Sequence, residues 1–177
     1  MPYKTYQNKF VAYNNAKKVI KFTKCDAVKL EGGTKIAETI AYLVKKKIPV
    51  MGHIGLLPQS SKKFIFKGKN ITESKQILRD AQSLDRAGVF AIVIECVLEK
   101  LAKEITKKVA VPTIGIGASK DCDGQILVVD DMLGLSDISA KFVKNYANLK
   151  KVIDKSIKNY NKDVKKRKFP SFVNVYR

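Results

Sequence analysis

Lys29, Glu31, His53 and Glu95 combine reactive side chains with a shared kind of position. Lys29 and Glu31 lie in DAVKLEGG, residues 26–33, where an apolar run ends in two glycines. Side chains alternate along a strand, so Ala27, Lys29 and Glu31 face one way and Val28 and Leu30 the other. His53 is the single histidine and closes its run, PVMGHIG, on the face of Met51. Glu95 closes FAIVIEC on the face of Ala91 and Val93. If these strands lie side by side and parallel, the polar residues gather at their C-terminal ends, where parallel α/β sheets bind ligands. Glu31 suits a hard cation such as Mg²⁺, which prefers carboxylate oxygens. Glu95, set among apolar neighbours, suits a base that removes a proton beside a carbonyl. Lys29 could neutralise a substrate carboxylate or a developing oxyanion. Each residue also has a structural reading: a hydrogen-bonded core histidine, a buried acid satisfied by backbone donors, a lysine–glutamate pair on one strand. Their common placement favours function.

The elements that would hold these residues alternate between short apolar runs and amphipathic segments. Helical spacing predicts helices near 8–23 (Val11, Ala16, Val19, Ile20), 34–46 (Ile36, Ile40, Leu43, Val44) and 98–109 (Leu98, Leu101, Ile105, Val109). Another begins at Thr72 and Glu73, carries Ile77, Ala81 and Leu84, and stops at Gly88. Strands are expected at 26–31, 49–55, 90–96, 112–118 and 125–131, and a basic helical region at 138–168 with a break near 149. Strands joined by helices mean a parallel sheet of right-handed βαβ units. The fold class is therefore α/β, either a doubly wound sheet or part of a (β/α)8 barrel. A full barrel takes about 250 residues, which exceeds this chain by roughly three βα units.

A chain of 177 residues suits one domain, and its 45% apolar share allows a sizeable core. The net charge of +19 raises the question of nucleic acid, but lysine supplies nearly all of it and is spread over most helices. Phosphate and base readers lean on arginine, so nucleic acid is disfavoured as a partner. No stretch is long and apolar enough to predict a membrane span, and the three scattered cysteines read as reduced thiols in a cytoplasmic setting. GIGAS at 115–119 is too sparse in glycine for a phosphate loop, and DCDG at 121–124 reads as a turn more than a calcium loop.

DAVKLEGG, IPVMGHIGLLPQS, FAIVIECV, VPTIGIGA, CDGQILVVDDMLGL and KFVKNYANL, in this order along nearly the whole chain, resemble ketopantoate hydroxymethyltransferase. The resemblance implies a (β/α)8 barrel and a Mg²⁺-dependent, cytoplasmic homo-oligomer. It implies transfer of a hydroxymethyl group from 5,10-methylenetetrahydrofolate to 3-methyl-2-oxobutanoate, in pantothenate synthesis. By the same resemblance Glu31 matches a metal ligand, Glu95 the catalytic proton acceptor, Lys29 a substrate-binding lysine and His53 the active-site histidine.

Departures from the family pattern set further expectations. Two more metal-ligating aspartates and a substrate-binding serine lie upstream of the segment matched by Met1. The expected architecture is one incomplete barrel domain over 1–177, holding barrel strands four to eight without one to three, with 138–177 a basic C-terminal region. Inside the chain, KFIFKGK stands for the family's GGYK, and Leu57, Leu98, Ser119 and Asp130 replace its threonine, proline, glycine and histidine. A five-stranded piece is expected to leave two open edges and to expose lumen side chains such as Met51 and Val93. One carboxylate binds Mg²⁺ weakly, so little or no activity is expected of residues 1–177 alone. A complementing N-terminal fragment or a second copy would be the partner. The alternative is a non-catalytic remnant, or half of a split enzyme, acting only by association.

Overall fold

The computed structural model describes residues 1–61, 65–137 and 140–176. They form two compact units, Met1–Ile126 and Leu127–Arg177.

The first unit is built on one sheet: β1 (Val28–Glu31), β2 (Val50–Gly55), β3 (Ala91–Glu95), β4 (Thr113–Ile116) and β5 (Gly124–Gln125). Its spatial order is β1-β2-β3-β4-β5 and every neighbouring pair is parallel. The order follows the sequence without the reversal that gives a doubly wound sheet its switch point. Between strands run α2 (Ala37–Lys45, after a 3₁₀ turn at Thr34–Ile36), α3 (Ile71–Arg86) and α4 (Glu99–Lys108), with α1 (Lys9–Thr23) ahead of β1. Local chemistry sets their starts. The Asn8 side chain accepts from the N–H groups of Phe10 and Val11, and that of Asn70 from Glu73, satisfying donors that a helix start leaves free.

The core lies on the face opposite the polar residues. Val28, Leu30, Ile54, Ile92 and Ile94 of the strands pack with Ile40, Leu43, Ile77, Leu84 and Ile105 of the helices. Each such side chain contributes about 1.5–3 kcal/mol on burial. This face cannot slip by one residue without turning the whole set outward, so the same packing that stabilises the sheet fixes where Glu31, His53 and Glu95 point.

Three expectations need correction. Residues 125–131 do not form a strand: β5 ends at Gln125, and Val129–Met132 is a short helix, α5. Ile126, Val128 and Val129 are more than half exposed, so no sheet face holds this apolar run extended. Helix over 138–168 is also too long. Residues 138 and 139 lie outside the described residues, 140–148 carry no helix, and α6 runs Leu149–Lys165. The Asn148 side chain accepts from the Lys151 N–H, so the expected break is in fact a helix start. Val93, expected to be exposed, is only 5% exposed, whereas Met51 is half-buried. Val93 lies between His53 and Ile114 in register, within a three-strand centre that shields it.

In the second unit α6 carries Ile153, Ile157, Tyr160 and Val164 at helical spacing, all exposed. Tyr160 meets Phe169 edge to face with ring centres 5.4 Å apart, and Lys150 pairs with Asp137.

Candidate active site

Register aligns the polar residues laterally. Glu31 of β1 lies opposite His53 of β2, His53 opposite Val93 of β3, and Gly55 opposite Glu95. The imidazole therefore sits between the two acids. His53 Nε2 is 3.2 Å from Glu95 Oε2, and His53 Nδ1 is 3.9 Å from Glu31 Oε1. His53 is 1% exposed and Glu95 9%. Among the described residues neither ring nitrogen has an aligned hydrogen-bond partner; the contact with Glu95 is close but poorly directed. A buried donor left without a bond costs about 1–3 kcal/mol.

Glu31 is better held. Its side chain is 7% exposed. Gln59 donates to both of its oxygens, from Nε2 to Oε1 at 2.9 Å and from the backbone N–H to Oε2 at 3.2 Å. The Tyr6 hydroxyl donates to the Glu31 carbonyl at 3.3 Å, and burial pushes that phenol above its ordinary range. Lys29 lies one pitch earlier on the same face and is exposed, opposite Met51 in register. Structure thus brings Glu31, His53 and Glu95 together and leaves Lys29 at the rim.

Glu95 is placed by its backbone. Its carbonyl accepts from the Leu56 N–H at 2.8 Å, and Gly55 has φ +91°, a left-handed conformation that favours glycine. A Cβ on Gly55 would stand 2.3 Å from the Glu95 carbonyl oxygen. Cys96 follows at φ +48°, a conformation a non-glycine residue adopts at some cost. Such strain clusters at functional sites. Burial, and then the neighbouring Glu95, push the Cys96 thiol up.

Beside Glu31 opens a cavity of about 690 Å³ lined by Tyr3, Tyr6, Thr34, Lys35, Gln76 and Asp80, among others. Asp80 Oδ1 accepts from the Thr34 N–H (2.8 Å), the Thr34 hydroxyl (2.9 Å) and Gln76 Nε2 (2.9 Å). This explains the second glycine of DAVKLEGG, because a Cβ on Gly33 would lie 2.0 Å from Asp80 Cγ. The first, Gly32, has φ +137°.

Nothing in PQS as a sequence marks Gln59 for this place. Loop residues follow no period, and only the fold shows that this one reaches Glu31. Asp123 of DCDG has a structural task, accepting from the Thr113 N–H at 2.8 Å and hydroxyl at 2.9 Å.

The described residues do not by themselves make a Mg²⁺ site. Among them no group of three or more His, Cys, Asp or Glu could hold a metal ion. Both Glu31 oxygens already accept from Gln59, and His53 offers nitrogen where Mg²⁺ prefers oxygen.

The parallel α/β sheet sets two acids and a buried imidazole together at its C-terminal end, where such sheets bind ligands. The chain belongs to the ketopantoate hydroxymethyltransferase family, whose model matches residues 1–172. It is 58% identical over 176 residues to a 3-methyl-2-oxobutanoate hydroxymethyltransferase of Pelagibacter ubique, covering 99% of this chain and 68% of the relative. Proteins of the same name from Bartonella quintana and Phenylobacterium zucineum are each 49% identical, over 100% and 99% of this chain and 66% of their own lengths. The chain thus spans about two thirds of the length of these relatives. Among solved structures, a dihydrodipicolinate synthase from Agrobacterium tumefaciens superposes with a TM-score of 0.44 at 12% identity, over 71% of this chain and 44% of that one. That likeness is too slight to carry an argument about this chain. Among the described residues no helix is long and apolar enough to cross a membrane.

Proposed function

We propose that residues 1–177 carry the enolising part of a hydroxymethyltransferase site acting on 3-methyl-2-oxobutanoate. The observation behind this reading is the buried His53 imidazole between Glu31 and Glu95, close to both and without an aligned hydrogen bond among the described residues. Glu95 takes the proton from C3 of the keto acid, and the C–H electron pair moves through C2 to the carbonyl oxygen, giving an enolate. His53 supplies a hydrogen bond to the bound substrate, which ends its isolation. Lys29 at the rim faces the substrate carboxylate. The methylene carbon of the second substrate takes up water and leaves its two nitrogens, each of which takes a proton, as formaldehyde. C3 of the enolate forms the new C–C bond to that carbon while the formaldehyde carbonyl π pair moves to oxygen, which is protonated to the hydroxymethyl group. The cavity beside Glu31 offers room for the donor. In the relatives' reaction that donor is expected to be 5,10-methylenetetrahydrofolate.

Glu31 would offer one carboxylate toward Mg²⁺, through the lone pairs its Gln59 bonds leave free, and further oxygen ligands would have to come from outside these 177 residues. The five strands are then an arc of a (β/α)8 barrel whose two edges, β1 and β5, accept the strands that complete it. Association through those edges is the second reading, favoured by the same open strands. Without the additional ligands the enolate is scarce, so residues 1–177 alone exchange the C3 proton with solvent but form no measurable ketopantoate. Incubation with keto acid, methylenetetrahydrofolate and Mg²⁺ tests this limit. Product above that of a Glu95→Gln control would overturn it.

A further inference from the structure

We infer that Gln59 is a positioning residue for this site, acting through Glu31; the inference rests on the enolising role proposed above. The starting point is the position of Glu31. It ends β1, an edge strand with a hydrogen-bonded neighbour on one side only. A carboxylate 7% exposed at such a place needs donors to offset its lost hydration. The residues nearest in sequence and register do not provide them. His53 Nδ1 stands 3.9 Å away and is not aligned, and Glu31 makes no ion pair with Lys29 among the described residues.

The donors come from the loop after β2. In LPQSS the N–H groups of Ser60 and Ser61 both donate to the Leu57 carbonyl, at 3.1 and 2.9 Å. This closes a tight turn after Gly55, and Pro58 enters it with a fixed φ. The turn aims the Gln59 N–H back at β1. Gln59 then grips the carboxylate twice, with the backbone N–H on Oε2 and the side-chain amide on Oε1. The amide also donates to the Met1 carbonyl at 3.2 Å.

Two donors on two oxygens fix the rotation of the carboxylate, which one donor would not. They fix it with Oε1 toward His53, whose other nitrogen meets Glu95. Gln59 touches none of the reacting groups, so its effect passes through the orientation of Glu31. Glutamine is required in kind as well as size. A glutamate here would set two carboxylates against each other, and an asparagine falls one methylene short of Oε1.

The test has two readouts. The first is the Glu31 side-chain carboxyl ¹³C resonance in the full chain, with Glu38 as an internal reference. Gln59→Ala is expected to move the Glu31 signal and leave Glu38 in place. The second is C3 deuterium exchange of 3-methyl-2-oxobutanoate. Gln59→Ala should slow it about tenfold, the loss of one charge-assisted bond, with KM for the keto acid little changed. Gln59→Glu should slow it further. On a Glu31→Gln background Gln59→Ala should have no additional effect, because a residue acting only through Glu31 has nothing left to position. An unmoved Glu31 resonance overturns the clamp, whatever the exchange rates are. A moved resonance with fully additive rate losses overturns the catalytic part. Absence of exchange above Glu95→Gln in the unsubstituted chain overturns the enolising reading and the catalytic part together, while the resonance still decides the clamp.

Discussion

At the scale of single residues, each polar group at the sheet end has a distinguishable environment. Glu31 is doubly hydrogen-bonded, His53 is buried without an aligned partner, and Glu95 faces the imidazole over a strained backbone. Asp123, bonded to Thr113, provides a structural contrast. The Thr113 N–H, and then the Thr113 hydroxyl, hold its carboxyl below the ordinary value of 3.8. A lowered folded-state pKa contributes stability that is complete above the unfolded value and is lost as pH falls through the folded one. Asp123→Ala should therefore have a lower urea midpoint at neutral pH, and the gap should narrow once pH drops below 3.8. A gap that persists undiminished into that range would contradict the assignment. Thiols give a second check. Cys96 is buried and its pKa is raised, whereas Cys25 is half-buried, so iodoacetamide at mildly alkaline pH should label Cys25 first. Mass spectrometry of the modified peptides reads the order.

At the scale of elements, strand alternation alone puts Glu31, His53 and Glu95 on one face at the strand ends, and they are neighbours there in the structure. Val28 and Leu30 are buried while Glu31 turns to the other face, and Ile92 and Ile94 are buried opposite Glu95, because one apolar face locks the register. The end of the sheet was less legible. QILVVDD reads as a strand by composition, yet no neighbour holds it extended beyond Gln125, and its two aspartates suit the first turn of a helix. Turns were legible only in part. The glycines of DAVKLEGG mark a turn, but their two separate reasons, the φ of Gly32 and the contact of Gly33 with Asp80, belong to the fold. Gly55 is the sharpest case, since it faces backbone that cannot yield. Gly55→Ala should destabilise the chain by about 2 kcal/mol or more, read as a lower urea midpoint, and should also slow C3 exchange by moving Glu95. A fully stable, fully active variant would show that the Glu95 segment is less constrained than its geometry implies.

At the scale of the whole molecule, the net charge of +19 bears on stability. Lysines spread over most helices repel one another, and salt screens them over about 8 Å at physiological ionic strength. Raising NaCl from about 0.02 M to about 0.15 M should therefore raise the urea midpoint; a fall would point to a dominant set of attractive pairs instead. Family membership was legible from the long motif blocks, while the placement of Gln59 beside Glu31 was not, because a loop's reach depends on the turn that folds it. The central claim is that Glu95, beside His53, removes the C3 proton of the keto acid. Proton NMR of 3-methyl-2-oxobutanoate in D₂O with Mg²⁺ tests it most directly, comparing the unsubstituted chain with Glu95→Gln. C3–H signal loss is expected to be at least about ten times faster in the unsubstituted chain than with Glu95→Gln, on the order of a general base's contribution. Equal rates in the two proteins would contradict it.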